Sequence, residues 1–108
     1  MTRSTGAERI AAERARQIAD EGFDGDHDDE NNDNGELALA AICYAAPERI
    51  YVVDDRGPGI SFVDPWPWDR VWDKRSERKK PTTKERLRAL EKAGALIAAE
   101  IDRLERAR

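Results

Sequence analysis

Hydrophobic positions recur with a helical period in three segments of the chain. In the first segment the apolar residues are spaced as on one helix face, and they are Ala7, Ile10, Ala11, Ala15 and Ile18. Gly22 follows as a stop signal, so the pattern predicts a first helix over residues 6–21. Arg14 lies on or beside this apolar stripe, where its guanidinium needs an anionic partner.

The second segment is nearly continuous in its apolar character. Asp33 and Glu36 form a plausible capping pair, and almost every residue from there to Ala46 is apolar. Pro47 follows as a helix breaker. This segment is predicted to be the central and most buried helix.

The third segment carries the most regular pattern. Thr82 and Glu85 form a capping box that opens a long helix. Its apolar positions alternate in steps of three and four, and they are Leu87, Leu90, Gly94, Ile97, Ile101 and Leu104. This spacing is typical of the seam of an antiparallel bundle, and Gly94 predicts a close approach of another backbone. The seam is expected either to hold the domain together or to pair it with a second copy as a homo-oligomer.

The chain between the second and third helices has extended character. Residues 50–53 and 60–63 are β-branched and aromatic, so residues 50–63 are predicted to form a β-hairpin with a long tip. Two prolines exclude a helix over residues 64–69, which carry Trp66 and Trp68. Residues 70–81 form a basic linker. The predicted fold is mainly α: a three-helix bundle in which a small β-hairpin and a Trp-rich loop lie between helices 2 and 3.

Length and composition limit the possibilities further. The chain has 108 residues, of which 39% are hydrophobic and 39% charged, so we expect a single small helical domain over residues 1–108 with a thin core. One cysteine, Cys43, excludes an internal disulfide, and one histidine cannot complete a structural zinc site with it. The longest apolar run is too short to span a bilayer, and the charged N-terminus argues against a signal peptide. These features predict a cytoplasmic protein without a membrane partner.

Charge is segregated along the chain. The net charge is -4, and an acidic loop over residues 23–34 contrasts with the basic residues that follow position 70. Asp24, Asp26 and Asp28 match the first ligand positions of a calcium loop, but Asp29 and Gly35 occupy positions that require glycine and glutamate. We therefore predict no metal site and no cofactor. Overall acidity also argues against binding to duplex nucleic acid.

Candidate chemistry is limited to binding groups. His27 lies among carboxylates, and without a nucleophile at a recognisable spacing we assign it a binding role together with Asp28. Trp66, Trp68 and Trp72 are close in sequence to basic residues such as Lys74, a combination that stacks flat ligands and meets phosphates. The alternative is that at least two of these indoles close the bottom of a thin core.

The residues and their order resemble a family of small proteins of phages and prophages that has no established activity. The matching positions are Glu13-Arg14, Arg16-Gln17-Ile18, Glu21-Gly22-Phe23, His27-Asp28-Asp29, Gly35-Glu36-Leu37-Ala38, Ala40-Ala41, Tyr44, Trp66-Pro67-Trp68-Asp69, Trp72, Lys74, Ala93-Gly94-Ala95-Leu96-Ile97 and Ala99-Glu100-Ile101. Phe23 departs from the tryptophan that relatives carry there. The resemblance implies a phage accessory protein that acts in the host cell. A fainter similarity to the RyR-type ligand-binding repeat starts at Gly22 and Phe23.

Three hypotheses about function follow. The first is an anti-defence protein that binds and sequesters a small anionic, nucleotide-type ligand without catalysis. Its proposed site residues are Arg14, Arg16, Gln17, His27, Asp28, Trp66, Trp68, Trp72 and Lys74, none of them catalytic. The alternative is an inhibitor whose acidic loop occupies the basic groove of a host defence protein that binds nucleic acid. The third is a helical nucleotide pyrophosphohydrolase that holds magnesium with carboxylates on two facing helices.

Overall fold

A computed structural model describes residues 3–22, 25 and 31–108. Within these ranges, three complete α-helices are joined by a β-hairpin and a short 3-10 turn. The elements are α1 (Gly6–Glu21), α2 (Glu36–Ala45), β1 (Val52–Asp54), β2 (Ser61–Val63), the 3-10 turn (Arg70–Trp72) and α3 (Thr83–Ala107). The protein is therefore mainly α, as the hydrophobic periodicity predicts.

Local signals account for the helix ends. Thr5 and Thr82 each accept a hydrogen bond from the backbone N–H three residues later, and Glu8 and Glu85 complete the two capping boxes. Gly22 ends α1 in the left-handed conformation, with φ of 69°. The bounds predicted for α1 and the capping box of α3 are confirmed. The capping pair predicted for α2 is wrong, because its N-cap is Gly35, which has no side chain to cap the helix.

The core lies between α2 and α3 and is built largely of small side chains. Leu37 and Leu96 are its largest aliphatic members, and Trp66 closes it from the loop after the hairpin. The other buried members are Ala40, Ala41, Cys43, Tyr44, Ala93 and Ala99. Alanine at the contact positions lets two helices approach closely, so this thin core contains few large side chains.

Helix α3 is the element that both other complete helices contact. No Cα atom of α1 lies within 8 Å of one in α2, whereas both helices pack against α3. The contact between α1 and α3 is partly polar, because Glu13 and Gln17 are the buried residues of α1. At the crossing, Ile10 lies against Gly94 of α3. The predicted close approach at Gly94 thus involves a side chain of α1 and not its backbone.

The seam predicted on α3 is not in the core. Its large residues are exposed by 41–56%, and they are Leu87, Leu90, Ile97, Ile101 and Leu104. The buried face of α3 instead carries Ala93, Leu96 and Ala99. The expectation that this seam holds the domain together is wrong, because α2 packs on the face whose small residues allow close contact, which leaves the larger aliphatic face half-exposed.

The hairpin is antiparallel, with Val53 opposite Phe62 and Val52 opposite Val63. Its strands have three residues each, against the four predicted for residues 50–53 and 60–63, and neither strand contacts a complete helix. The exposed fractions of Val53, Phe62 and Ile60 are 61%, 71% and 74%. In the part of the chain that the structure describes, no helix is long and apolar enough to cross a membrane.

Candidate functional site

Trp66 anchors the loop that follows the hairpin. Its ring makes edge contacts with Tyr44 and Trp68, each at 5.5 Å between centroids. Its indole N–H donates to the carbonyl oxygen of Asp69 at 3.2 Å. Trp66 is buried in the core, so it fits the structural alternative and not the predicted contact with a ligand.

Arginine–carboxylate contacts fix the same loop to the basic segment after it. Arg75 Nη2 lies 2.8 Å from Asp64 Oδ2 and 2.7 Å from Asp73 Oδ2, and its guanidinium lies over the Trp66 ring at 5.2 Å. Burial alone would raise the pKa of Asp64, but hydrogen bonds from Arg75 and Arg70 lower it to about 2. The predicted basic linker over residues 70–81 is therefore tied to the core at its start.

An aromatic cleft opens where this loop meets α1 and α3. Its volume is about 70 Å³, and it is lined by Gln17, Glu21, Tyr44, Trp68, Trp72, Lys74, Lys92 and Leu96. Trp68 is held by a hydrogen bond of 3.0 Å from its indole N–H to Asn32 Oδ1. Trp72 is more than half exposed, so one face of an indole is accessible at the cleft.

A cationic cleft adjoins the aromatic cleft and shares Tyr44, Lys74 and Lys92 with it. Its volume is about 260 Å³. The remaining lining residues are Arg75, Ser76, Lys84, Glu85, Arg88 and Ala89. Five cationic side chains and one carboxylate therefore line this cleft. Arg75 and Arg88 are paired with carboxylates outside the cleft lining, so its excess of positive charge comes from the three lysines.

Lys92 lies where the two clefts meet. Its ammonium group lies over the ring of Tyr44, 5.6 Å from the centroid. Burial lowers the pKa of Lys92, and the nearby cation of Arg88 lowers it further. An anion bound in the cleft would stabilise the charged ammonium group and so raise the pKa of Lys92 again.

Tyr44 is a structural member of the site. Burial raises its pKa to about 12, so the phenol is neutral at physiological pH. Its hydroxyl oxygen accepts a hydrogen bond of 3.1 Å from the backbone N–H of Lys74. The core residue Tyr44 thus positions the backbone of Lys74 at both clefts.

Two buried polar atoms on the cleft-lining residues lack hydrogen-bond partners among the described residues. The side chain of Arg75 is only 5% exposed, yet its Nη1 is unpaired. Gln17 is 3% exposed, and its Oε1 is unpaired as well. Unpaired buried polar atoms are rare in folded proteins and call for an explanation. One unpaired donor belongs to a residue of the cationic cleft, and one unpaired acceptor belongs to a residue of the aromatic cleft.

The structure brings together four of the predicted site residues, and they are Gln17, Trp68, Trp72 and Lys74. Arg16 lines neither cleft and is bound to Glu13 at 2.7 Å and to Glu21 at 3.3 Å. Arg14 lies 4.0 Å from Asp102 and lines neither cleft. His27 and Asp28 lie outside the described residues.

Sequence reasoning missed most of the cationic cleft. Lys84, Arg88 and Lys92 recur every fourth residue on α3, so they share one helix face, and this periodic signal could have identified them. Arg75 is one of the basic residues close in sequence to the tryptophans, but its place in the cleft depends on how the loop folds over α2.

Within the described ranges, no group of three or more His, Cys, Asp or Glu residues could hold a metal ion. Burial raises the pKa of Cys43, so its thiol stays protonated in the core. The groups that face the clefts supply stacking surfaces, cations and single hydrogen bonds.

The fold and clefts define a small, mainly α protein with a cationic cleft next to an aromatic one. Comparison with models of protein families, with curated proteins and with solved structures finds no match to this chain. The description of this protein as a candidate binding protein therefore rests on its fold and on the residues of the two clefts.

Proposed function

We propose that this protein binds a small anionic ligand with a flat ring, of nucleotide type, and does not transform it. The observation that carries the proposal is that an aromatic cleft and a cationic cleft share Tyr44, Lys74 and Lys92. One ligand can then place its ring against Trp72 and Trp68 and its anionic group among the cations of α3.

The unpaired buried atoms support the same ligand chemistry. A buried donor or acceptor without a partner destabilises a protein by about 1–3 kcal/mol. A phosphate or carboxylate oxygen would accept from Arg75 Nη1, and a ring amine or hydroxyl would donate to Gln17 Oε1. Neither atom has accessible surface, so a ligand that spans the two clefts would reach them only after side chains of the clefts shift.

Burial of Lys92 supports an anion in particular. Its lowered pKa reflects an ammonium group that has lost water and faces another cation. A bound anion stabilises the charged form of Lys92, so binding raises this pKa. Affinity should therefore fall as the pH rises through the lowered pKa of Lys92.

The test is a thermal-shift and tryptophan-fluorescence titration with a panel of nucleoside phosphates. Adenosine, which has the ring without the phosphate, and inorganic phosphate, which has the anion without the ring, are titrated separately. We expect a nucleoside phosphate to raise the melting temperature and to change the fluorescence. Lys92→Gln and Trp72→Ala should each weaken binding at least tenfold, which corresponds to about 1.4 kcal/mol. Lys80→Gln is the matched control, because Lys80 is exposed and lines neither cleft.

Equal weakening by Lys80→Gln would show attraction to overall charge and not a built site. A panel in which no compound shifts the melting temperature would overturn the proposal. Ionic strength separates it from the alternative of an acidic inhibitor, whose binding to a basic groove should be lost at high salt. The pyrophosphohydrolase hypothesis predicts magnesium-dependent release of pyrophosphate from a nucleoside triphosphate.

The resemblance to small phage and prophage proteins supports a biological setting for this binding. We place the protein in the host cytoplasm, where it would sequester a nucleotide-derived signal of host defence. The three helices would form a three-helix bundle with α3 at its centre, and the clefts would lie beside α3 at the edge of that bundle.

A further inference from the structure

Helix α3 carries an uncovered apolar stripe, which consists of Leu87, Leu90, Ile97, Ile101 and Leu104. Each of these residues is exposed by 41–56%. The stripe extends over about 25 Å, at 1.5 Å per residue between its first and last members. Large exposed apolar side chains that lie together on one face mark interaction sites on soluble proteins, and these five share one face of α3.

Contacts among the described residues leave the large side chains of the stripe half-exposed. Helix α2 packs on the face of α3 that carries Ala93, Leu96 and Ala99. Helix α1 touches the stripe at Gly94 through Ile10, and its ion pairs lie on the adjoining face, where Glu13 pairs with Arg88 and Arg9 pairs with Glu91. The stripe occupies the remaining side of α3.

Gly94 has no side chain to contribute to the stripe, but a side chain of α1 fills its place. It belongs to the same series of three- and four-residue steps, and Ile10 of α1 lies against it. The Ile10 side chain is half-buried and fills the position that a residue-94 side chain would take. The apolar surface is thus continuous from Leu87 to Leu104.

We propose that a second copy of this chain covers the stripe, with the two α3 helices antiparallel. The steps of three and four are those of a helix pair in which apolar residues of each helix pack into the other. In this register Leu87 packs against the partner's Leu104, and Leu90 packs against the partner's Ile101. Gly94, with Ile10 over it, faces the partner's Ile97.

The charges that flank the stripe favour the antiparallel direction. In the antiparallel register, Lys84 lies opposite the partner's Glu105. The two-fold symmetry of the dimer forms this ion pair twice. The other flanking charges, Arg86, Glu91 and Glu100, all lie opposite alanines in this register. A parallel pair would place Glu100 opposite the partner's Glu105, which is repulsive. It would also place Arg86 opposite the partner's Glu91, but Arg86 already donates to backbone carbonyls at the end of α2.

The length of the stripe fits a homodimer. Two stripes of about 25 Å can pack side by side along their whole length, which lets both chains bury apolar side chains in one interface. Its pattern also removes any requirement for a different partner, because every apolar position finds an apolar counterpart in the same sequence.

Sedimentation equilibrium across micromolar to submillimolar concentration tests the proposal. The protein should be a reversible dimer, and Ile97→Gln with Ile101→Gln should raise its dissociation constant by roughly a hundredfold. Circular dichroism should be unchanged, because both side chains are already half-exposed. The matched control is Ile60→Gln with Phe62→Gln, which removes exposed side chains from the hairpin and should leave the dimer intact.

A charge exchange tests the direction of pairing. Lys84→Glu should weaken the dimer, because it places a carboxylate opposite the partner's Glu105, and adding Glu105→Lys should restore it. A protein that is monomeric at every concentration would overturn the proposal. Loss of the dimer in the hairpin variant alone would place the interface on the hairpin. Failure of the exchange to restore the dimer would overturn the antiparallel register.

Discussion

At the scale of single residues, Glu13 is a buried charge that two arginines neutralise. Its side chain is 2% exposed, and both oxygens accept hydrogen bonds, from Arg16 at 2.7 and 2.8 Å and from Arg88 at 2.7 Å. Burial alone would raise the pKa of Glu13, but these donors lower it to about 2. In the sequence, Arg14 lies on or beside the apolar stripe of α1, where a guanidinium needs an anionic partner. In the structure it is Arg16 and Arg88 that neutralise the buried charge of α1.

Gly94 gives a prediction at the same scale. A Cβ atom there would lie 2.5 Å from Ile10 Cδ1 and 2.7 Å from Ile10 Cγ1, so a larger residue must displace the whole Ile10 side chain. Gly94→Leu should lower the free energy of unfolding by about 1–3 kcal/mol, despite a gain of about 1 kcal/mol in helix propensity. Urea unfolding measures this. Ile10→Ala should partly rescue Gly94→Leu, and a Gly94→Leu variant more stable than the parent would show that Ile10 moves aside without loss.

At the scale of elements, the packing of α2 on α3 depends on small residues. Ala40 and Ala99 have no exposed surface, and both lie in the core shared by the two helices. A large side chain in either place must separate the helices or adopt a strained rotamer. The same argument explains why the larger aliphatic face of α3 remains outside the core.

Ala99→Leu tests this packing directly. We expect it to lower the free energy of unfolding by about 1–3 kcal/mol, because the core has no room for the added carbon atoms. Ala107→Leu is the matched control, since Ala107 is an exposed residue at the end of the same helix. Equal stability of the two variants in urea unfolding would contradict close packing at Ala99.

At the scale of the whole molecule, acid sensitivity should follow from two carboxylates that tie elements together. Glu13 joins α1 to Arg88 of α3, and Asp64 joins the loop after the hairpin to Arg75. The pKa of each is about 2 in the folded protein, against ordinary values of 4.5 and 3.8. A depressed folded pKa stabilises the protein above the unfolded value, and that contribution is lost as the pH falls.

We therefore expect stability to be level above about pH 5 and to decline as the pH falls from there toward 2. The Glu13 contribution is about 3 kcal/mol, at 1.36 kcal/mol per unit of pKa. Glu13→Gln should lower stability at neutral pH by about this amount and flatten the acid decline. Urea unfolding at a series of pH values measures both, with Glu77→Gln as a control outside these ion pairs. An unchanged acid decline in Glu13→Gln would show that Glu13 is not responsible.

The sequence by itself determined the elements. Residues 6–21 were predicted as α1, the Thr82 and Glu85 box marked the start of α3, and the hairpin was placed correctly between helices. These features depend on capping, glycine conformations and side chains three or four residues apart. All of these interactions are local, so their signals lie within a few neighbouring residues.

Only the tertiary structure decided which faces and side chains the elements bury. Trp66, Trp68 and Trp72 are alike in sequence, yet one is core, one is held by Asn32 and one is exposed. Three cations of the cationic cleft share a face of α3, but Lys74 and Arg75 join them only when the loop folds over Tyr44. Helix α3 has two apolar faces, and the alanine-rich face is buried because it allows α2 to approach closely. Such choices depend on competition between contacts distant in sequence, which local periodicity does not encode.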